Sequence, residues 1–158
     1  MSLAIVHSRA LVGLDAPEVT VEVHLANGLP SFTIVGLPEA EVREARDRVR
    51  AAIQNARFEF PARRITVNLA PADLPKESGR YDLPIALGLL TAMGVLPGDD
   101  LATYCVLGEL SLDGAIRPVA GVLPAAIHAA ASGGAEVFVR VGPGAALAAL
   151  AALIVRHR

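Results

Sequence analysis

Lys76 is the one lysine among 158 residues, and it stands two positions before Ser78 in the segment Ala70-Pro-Ala-Asp-Leu-Pro-Lys-Glu-Ser-Gly-Arg80. A lysine can act as the base for a serine nucleophile, but only where burial strips its charge of water. Residues two apart in an irregular loop rarely point together, so this spacing does not by itself make a Ser-Lys dyad. Asp73, Glu77 and Asp82 cluster around the same loop, and paired carboxylates perform acid and base work where their separation suits a substrate. Capping of the next helix by Asp82, with Asp73 and Glu77 in water, is the simpler expectation. Lys76 and Arg80 could also hold an anion beside free N–H groups of that helix, although Asp82 competes for the donors.

Metal and nucleotide chemistry find less support. His7, His24, His128 and His157 lie far apart without an H-x-x-x-H spacing, and Cys105 has no second cysteine, so no metal site is expected. No G-x-x-x-x-G-K-[ST] loop exists, since Lys76 follows Leu74-Pro75 rather than glycines. Gly142-Pro-Gly144 places a proline where a phosphate would need N–H donors, and a plain turn is expected there. The chain should therefore carry no catalytic residues, bind no cofactor and hydrolyse no ATP by itself. Cys105, inside the apolar run Tyr104-Cys-Val-Leu107, is expected to be a buried, inert thiol, which suits a reducing cytoplasm.

The constellation with a functional tilt is basic. Arg43, Arg46, Arg48, Arg50, Arg57, Arg63 and Arg64 supply seven of the 14 basic residues, opposed in that stretch only by Glu44, Asp47 and Glu59. At 100° per residue, Val42, Ala45, Val49, Ala52, Ile53 and Ala56 form one apolar stripe of a helix from Pro38 to about Ala56. Arg43, Arg46, Arg50 and Arg57 then line one flank of the stripe, while Glu41, Glu44 and Arg48 fall on the other. A solvated face with Glu39/Arg43 and Glu44/Arg48 pairs is the plain reading. The alternative is contact with phosphates or an acidic partner through Arg43, Arg46, Arg50, Arg57, Arg63 and Arg64, because a guanidinium grips an anion at two points. Thirteen arginines to one lysine can equally reflect genome composition. Phe58 and Phe60 are the only aromatics beside these residues, few for a single-strand stacking platform.

The elements that must position these groups read as a mixed α/β domain spanning residues 1–158. Ala4 to Ser8 and Glu18 to Leu25 are strands, the second alternating strictly. Asn27-Gly28 then predicts a hairpin into Ser31 to Val35. After the arginine-bearing helix come a strand from Arg64 to Leu69 and a helix from Asp82 to Met93, apolar on nearly every side and therefore central to the core. Thr103 to Leu107 and Ala115 to Val119 suggest a second hairpin. Gly121 to Ser132 reads as a helix stopped by Gly133-Gly134, Glu136 to Arg140 as a strand, Pro143 to Leu153 as a helix and Ile154-Val155 as a terminal strand. The charge-free stretches are broken by Pro and Gly and read as core helices rather than membrane spans, and the N-terminus lacks an export pattern. A net charge of -2 excludes indiscriminate nucleic-acid binding by the chain as a whole.

Three stretches together carry a resemblance: Gly36-Leu-Pro-Glu-Ala-Glu-Val-Arg-Glu-Ala-Arg-Asp-Arg-Val-Arg50, Ile65-Thr-Val-Asn-Leu-Ala-Pro-Ala-Asp-Leu-Pro-Lys-Glu-Ser-Gly-Arg-Tyr-Asp-Leu-Pro-Ile-Ala-Leu87, and Gly108-Glu-Leu-Ser-Leu-Asp-Gly-Ala-Ile-Arg-Pro118. The chain resembles the N-terminal domain of the ComM/YifB proteins, magnesium-chelatase-like AAA+ ATPases. That resemblance implies a two-layer α/β fold like the proteolytic domain of Lon, related to a ribosomal protein domain. It places Tyr81 where Lon has its serine and Ala125 or a near neighbour where Lon has its lysine, which implies a domain without peptidase activity. It also implies an ATPase module using ATP and Mg, assembly as a homo-oligomeric ring, and action on branched DNA in natural transformation. The expected role here is a non-catalytic accessory domain that contacts DNA or organises the ring. An oligomerisation-only module, a serine peptidase and a chelatase subunit remain the alternatives.

Overall fold

A computed structural model describes residues 2–131 and 146–156. Strands β1 (Ser2–Arg9) and β2 (Glu18–Ala26) pair antiparallel, with Val6 opposite Val21. Their turn is closed by reciprocal N–H···O bonds between Val12 and Asp15, both 2.9 Å. Of its two central residues only Gly13 has a positive φ, +61°, the arrangement of a type II′ hairpin turn.

β3 (Ser31–Val35) does not pair with β2, which corrects the expected Asn27-Gly28 hairpin. β4 (Arg64–Ala70) lies between them, antiparallel to β2 and parallel to β3, in the order β1-β2-β4-β3. A type I′ turn needs positive φ at both central residues, and here Gly28 has it while Asn27 does not. The stretch from β3 to β4 contains helices, and a helical crossover brings its second strand back beside and parallel to the first. That β4 takes the central place follows from its buried side chains Ile65, Val67 and Leu69, which continue the row of Val21, Val23 and Leu25.

The crossover consists of α1 (Ala40–Arg43) and α2 (Ala45–Asn55), so the single helix expected from Pro38 is two. Glu44 between them keeps right-handed helical backbone, φ -63° and ψ -18°, and the stripe stays in phase. Val42, Ala45, Val49, Ala52 and Ile53 are all buried. A 3₁₀ turn, Gly79–Tyr81, leads into α3 (Asp82–Ala92), where Thr91 alone escapes full burial. Gly88 allows α3 to lie close on the sheet: a Cβ there would come within 2.7 Å of Val23. Helices thus cover one face of the sheet, and the other carries the exposed Leu3 and Ile5 with polar Thr33 and Asn68.

After the short α4 (Gly98–Leu101), the chain departs from expectation again. The second hairpin pairs β5 (Glu109–Leu110) with β6 (Ile116–Arg117), and its first arm is not Thr103 to Leu107. Those residues instead run along the open edge of β1. The Val106 N–H donates to the His7 carbonyl at 2.8 Å, and Ser8 Oγ donates to the Val106 carbonyl at 2.7 Å. Cys105 is buried there and is not disulfide-bonded.

α5 spans Val122–Ala131 and α6 spans Leu147–Arg156. Ile154-Val155 is therefore helical, not a strand, because Leu147, Leu150, Ala151 and Ile154 recur at helical spacing against the core. The expected Gly133-Gly134 stop, the Glu136 to Arg140 strand and the Gly142-Pro-Gly144 turn lie outside the described residues. Among the described residues no helix is long and apolar enough to cross a membrane.

Candidate functional site

The arginine flank is built by the α2 stripe: once Val49, Ala52 and Ile53 face the core, Arg43, Arg46 and Arg50 must face outward, and all three are exposed. Arg46 Nε donates to the Arg43 carbonyl at 3.1 Å. Arg57 ends the helix in the left-handed region, φ +67°. There its N–H donates to the Gln54 carbonyl at 3.0 Å, and the Phe58 N–H donates to the Ile53 carbonyl at 3.1 Å. These two bonds define a Schellman stop, at a position that glycine usually fills. Arg63 stands just ahead of β4 and Arg64 begins it, and the Arg64 guanidinium lies over Gly28, 3.6 Å from where a Cβ would stand.

Among the described residues, none of Arg43, Arg46, Arg50, Arg57, Arg63 and Arg64 forms an ion pair with a carboxylate. Of the two expected helical pairs, Glu44–Arg48 forms at 3.2 Å and Glu39–Arg43 does not. Arg50 and Arg63 come together at one pocket of about 330 Å³, with Ser31, Gln54 and Phe60. Arg50 sits over the Phe60 ring, 5.0 Å from its centre, and Phe60 stacks on Phe32 at 6.0 Å. Arg57 does not line this pocket.

Arg48 faces the other way. Its Nε and Nη2 donate to the Asp82 carboxylate at 2.6 and 3.1 Å, and the Leu110 N–H donates to the same carboxylate at 3.0 Å. This corrects the expectation that Asp82 caps a helix. Asp82 is instead the first residue of α3, wholly buried, and a buried carboxylate needs a cation more than a cap. Burial pushes the Asp82 carboxyl up, opposed by Arg48 and the Leu110 amide. The hydrogen bond to Asp82 in turn raises the Arg48 guanidinium. Sequence reasoning missed this pair because its members stand 34 residues apart; the available signal was an acid opening a helix that is apolar all round.

The loop residues do not assemble a nucleophile. Lys76 is buried and its Nζ donates to the Pro71 carbonyl. Burial pushes the Lys76 ammonium down, opposed by Asp73. Ser78 Oγ accepts from the backbone N–H and the Nε of Arg80, both at 3.3 Å, and does not meet Lys76. Arg80 Nη2 donates to the Ala120 carbonyl at 2.6 Å. Both cations are thus spent on backbone carbonyls rather than held for an anion, and the Leu83 N–H donates to the Gly108 carbonyl. Asp73 and Glu77 are exposed. Tyr81 and Ala125, at the places the resemblance gives to a reactive pair, are buried. The Tyr81 hydroxyl has no hydrogen-bond partner among the described residues, and burial pushes it up to about 12 against the opposing Arg80 charge. His7 lies 3.5 Å from Glu18 and His128 3.9 Å from Asp15. No group of three His, Cys, Asp or Glu side chains that could hold a metal ion occurs among the described residues.

Residues 21–142 match the family described as subunit ChlI of Mg-chelatase. The chain belongs to this ChlI family. It is 59% identical over 133 residues to the uncharacterized protein YifB of Salmonella typhimurium, covering 84% of this chain and 26% of that one. It is 60% identical over 129 residues to the competence protein ComM of Haemophilus influenzae, covering 82% and 25%. The uncharacterized protein Mb2921c of Mycobacterium bovis is 45% identical over 139 residues, covering 88% and 28%. The chain thus spans about a quarter of the length of these relatives. The arginine helix and the Lys76–Asp82 loop both lie inside the span that matches the ChlI family.

Proposed function

We propose that this ChlI-family chain is the non-catalytic N-terminal part of an AAA+ ATPase that acts on branched DNA in the cytoplasm, and that its arginine flank meets the DNA backbone. The carrying observation is the unbalanced charge of that flank: six arginines without a carboxylate partner among the described residues, Arg43 on α1, Arg46 and Arg50 on α2, Arg57 at the stop of α2, and Arg63 and Arg64 at the entry to β4. Phosphate contacts of this kind give affinity without sequence preference and weaken steeply with salt. The Haemophilus relative's designation as a competence protein agrees with DNA as the partner. ATP and Mg belong, in this reading, to a module outside these residues. Tyr81 and Ala125, buried where a peptidase would need a serine and a lysine, support a recognition role over peptide hydrolysis.

Charge reversal of Arg46 and Arg50 tests the reading. Binding of a branched oligonucleotide should weaken more than tenfold at low salt, and the slope of log K against log salt should fall by about 2, near 0.9 per lost phosphate contact. Unchanged affinity and slope would refute it. A second reading, subunit organisation in a ring, has its own observation: Leu123 and Ile127, one turn apart on α5, are both exposed. Concentration-dependent mass without nucleic acid, abolished by Leu123→Asp, would favour that reading.

A further inference from the structure

The pocket beside α2 differs from the rest of the flank in having walls. Arg50 and Gln54 come from one helix face, Ser31 from the start of β3, Phe60 from the connection, and Arg63 from the residue ahead of β4. At about 330 Å³ it lies at the small end of ligand sites, which run from about 300 to 1,000 Å³. Two guanidinium groups, a hydroxyl and a carboxamide line it, and no carboxylate does.

Two details define what fits. First, Arg63 Nε is withdrawn from solvent and has no hydrogen-bond partner among the described residues, an unmet donor of the kind that folded proteins rarely keep. A small turn of that guanidinium would present Nε–H together with an Nη–H to one anion, the paired geometry that matches phosphate. Second, Phe60 is already engaged by Arg50 and Phe32, so its ring is committed to the protein. That argues against a stacked base and for a phosphate as the occupant.

We propose that this pocket takes one phosphate of a nucleic-acid backbone, with Arg63 donating and Arg50 supplying the second positive charge. The proposal rests on the reading of the flank as a DNA contact and names the one place where a phosphate is gripped rather than only attracted.

The test uses the ¹⁵N-labelled chain and follows the Arg63 Nε–H resonance, assigned by its loss in Arg63→Lys. A short oligothymidylate with 5′-hydroxyl ends, which holds only internal phosphodiesters, should shift that resonance at low salt. Arg63→Lys should bind the oligonucleotide about tenfold more weakly while unfolding at the same temperature. An unmoved resonance under oligonucleotide saturation overturns the proposal. So does a shift produced by inorganic phosphate or polyglutamate but not by the oligonucleotide. Arg43→Glu with Arg46→Glu separates the two ideas. If that variant loses affinity while Arg63 never responds in the unaltered chain, only the pocket fails. If it binds normally while Arg63 does respond, only the flank fails.

Discussion

Arg48 and Arg50 stand two residues apart on one helix and live in different chemistries. Arg48 reaches inward to a carboxylate that is fully buried, with a third hydrogen bond from the Leu110 amide completing the site. Arg50 reaches outward over Phe60 and meets no carboxylate among the described residues. The difference teaches how one amphipathic helix can divide its charges: one flank locks α2 to α3 and the other is left with charge to offer a partner. The inward arginine is held by the fold, and the outward one stays exposed.

Breaking the inward contact should have the largest effect. Arg48→Met leaves Asp82 charged and buried without its cation, and should cost about 3–5 kcal/mol of stability, read by urea denaturation. Replacing both partners together, Arg48→Met with Asp82→Leu, should recover much of that loss, because the cost comes from the orphaned charge.

The next effect sharpens the description of the interior around Asp82. Tyr81 ionises near 10 in an unfolded chain and at about 12 in the fold, so the unfolded state gives up its proton first. The sign follows: stability falls as pH rises above 10 and stops falling beyond about 12. Between pH 9 and 11 the loss from this group should be about 1 kcal/mol, and Tyr81→Phe should remove it from the slope of stability against pH. Because the hydroxyl has no partner among the described residues, Tyr81→Phe should not destabilise the protein at neutral pH.

On the outward flank the stability effects should be small. Arg57→Gly should raise stability by about 0.5–1 kcal/mol, since it relieves a left-handed residue at a helix stop, and its thermal midpoint should rise accordingly. Arg50→Ala should cost the least, under about 1 kcal/mol for an exposed cation–π contact, while still weakening DNA binding. A large stability loss in Arg50→Ala would erase the contrast with Arg48.

Much of this arrangement can be read from residue order, because it depends on local periodicity. The alternation of Val19, Val21, Val23 and Leu25 identifies β2, and the spacing of Val42, Ala45, Val49 and Ile53 identifies the buried stripe and hence the outward side of Arg43, Arg46 and Arg50. What residue order hides is long-range choice. Asn27-Gly28 resembles a hairpin turn, yet the crossover through α2 delivers a better central strand, and β4 separates β2 from β3. Thr103 to Leu107 has strand composition, but whether it pairs with β6 or with the edge of β1 is decided by which edge is open. The meeting of Arg48 with Asp82, and of Arg50 with Arg63, depends on how helices and strands are stacked, which no local pattern encodes. The partners of Lys76 and Arg80 are backbone carbonyls, which side-chain types cannot announce.

Site-specific photocrosslinking tests the division of the helix most directly. Asp47, exposed on the outward side between Arg43 and Arg50, and Glu41, exposed on the side where its carbonyl accepts from Arg48, can each carry a photoreactive residue. With a labelled branched oligonucleotide at low salt, position 47 should crosslink strongly and position 41 weakly, and added salt should suppress the difference. Equal yields from the two positions, or a stronger yield from position 41, would contradict the account.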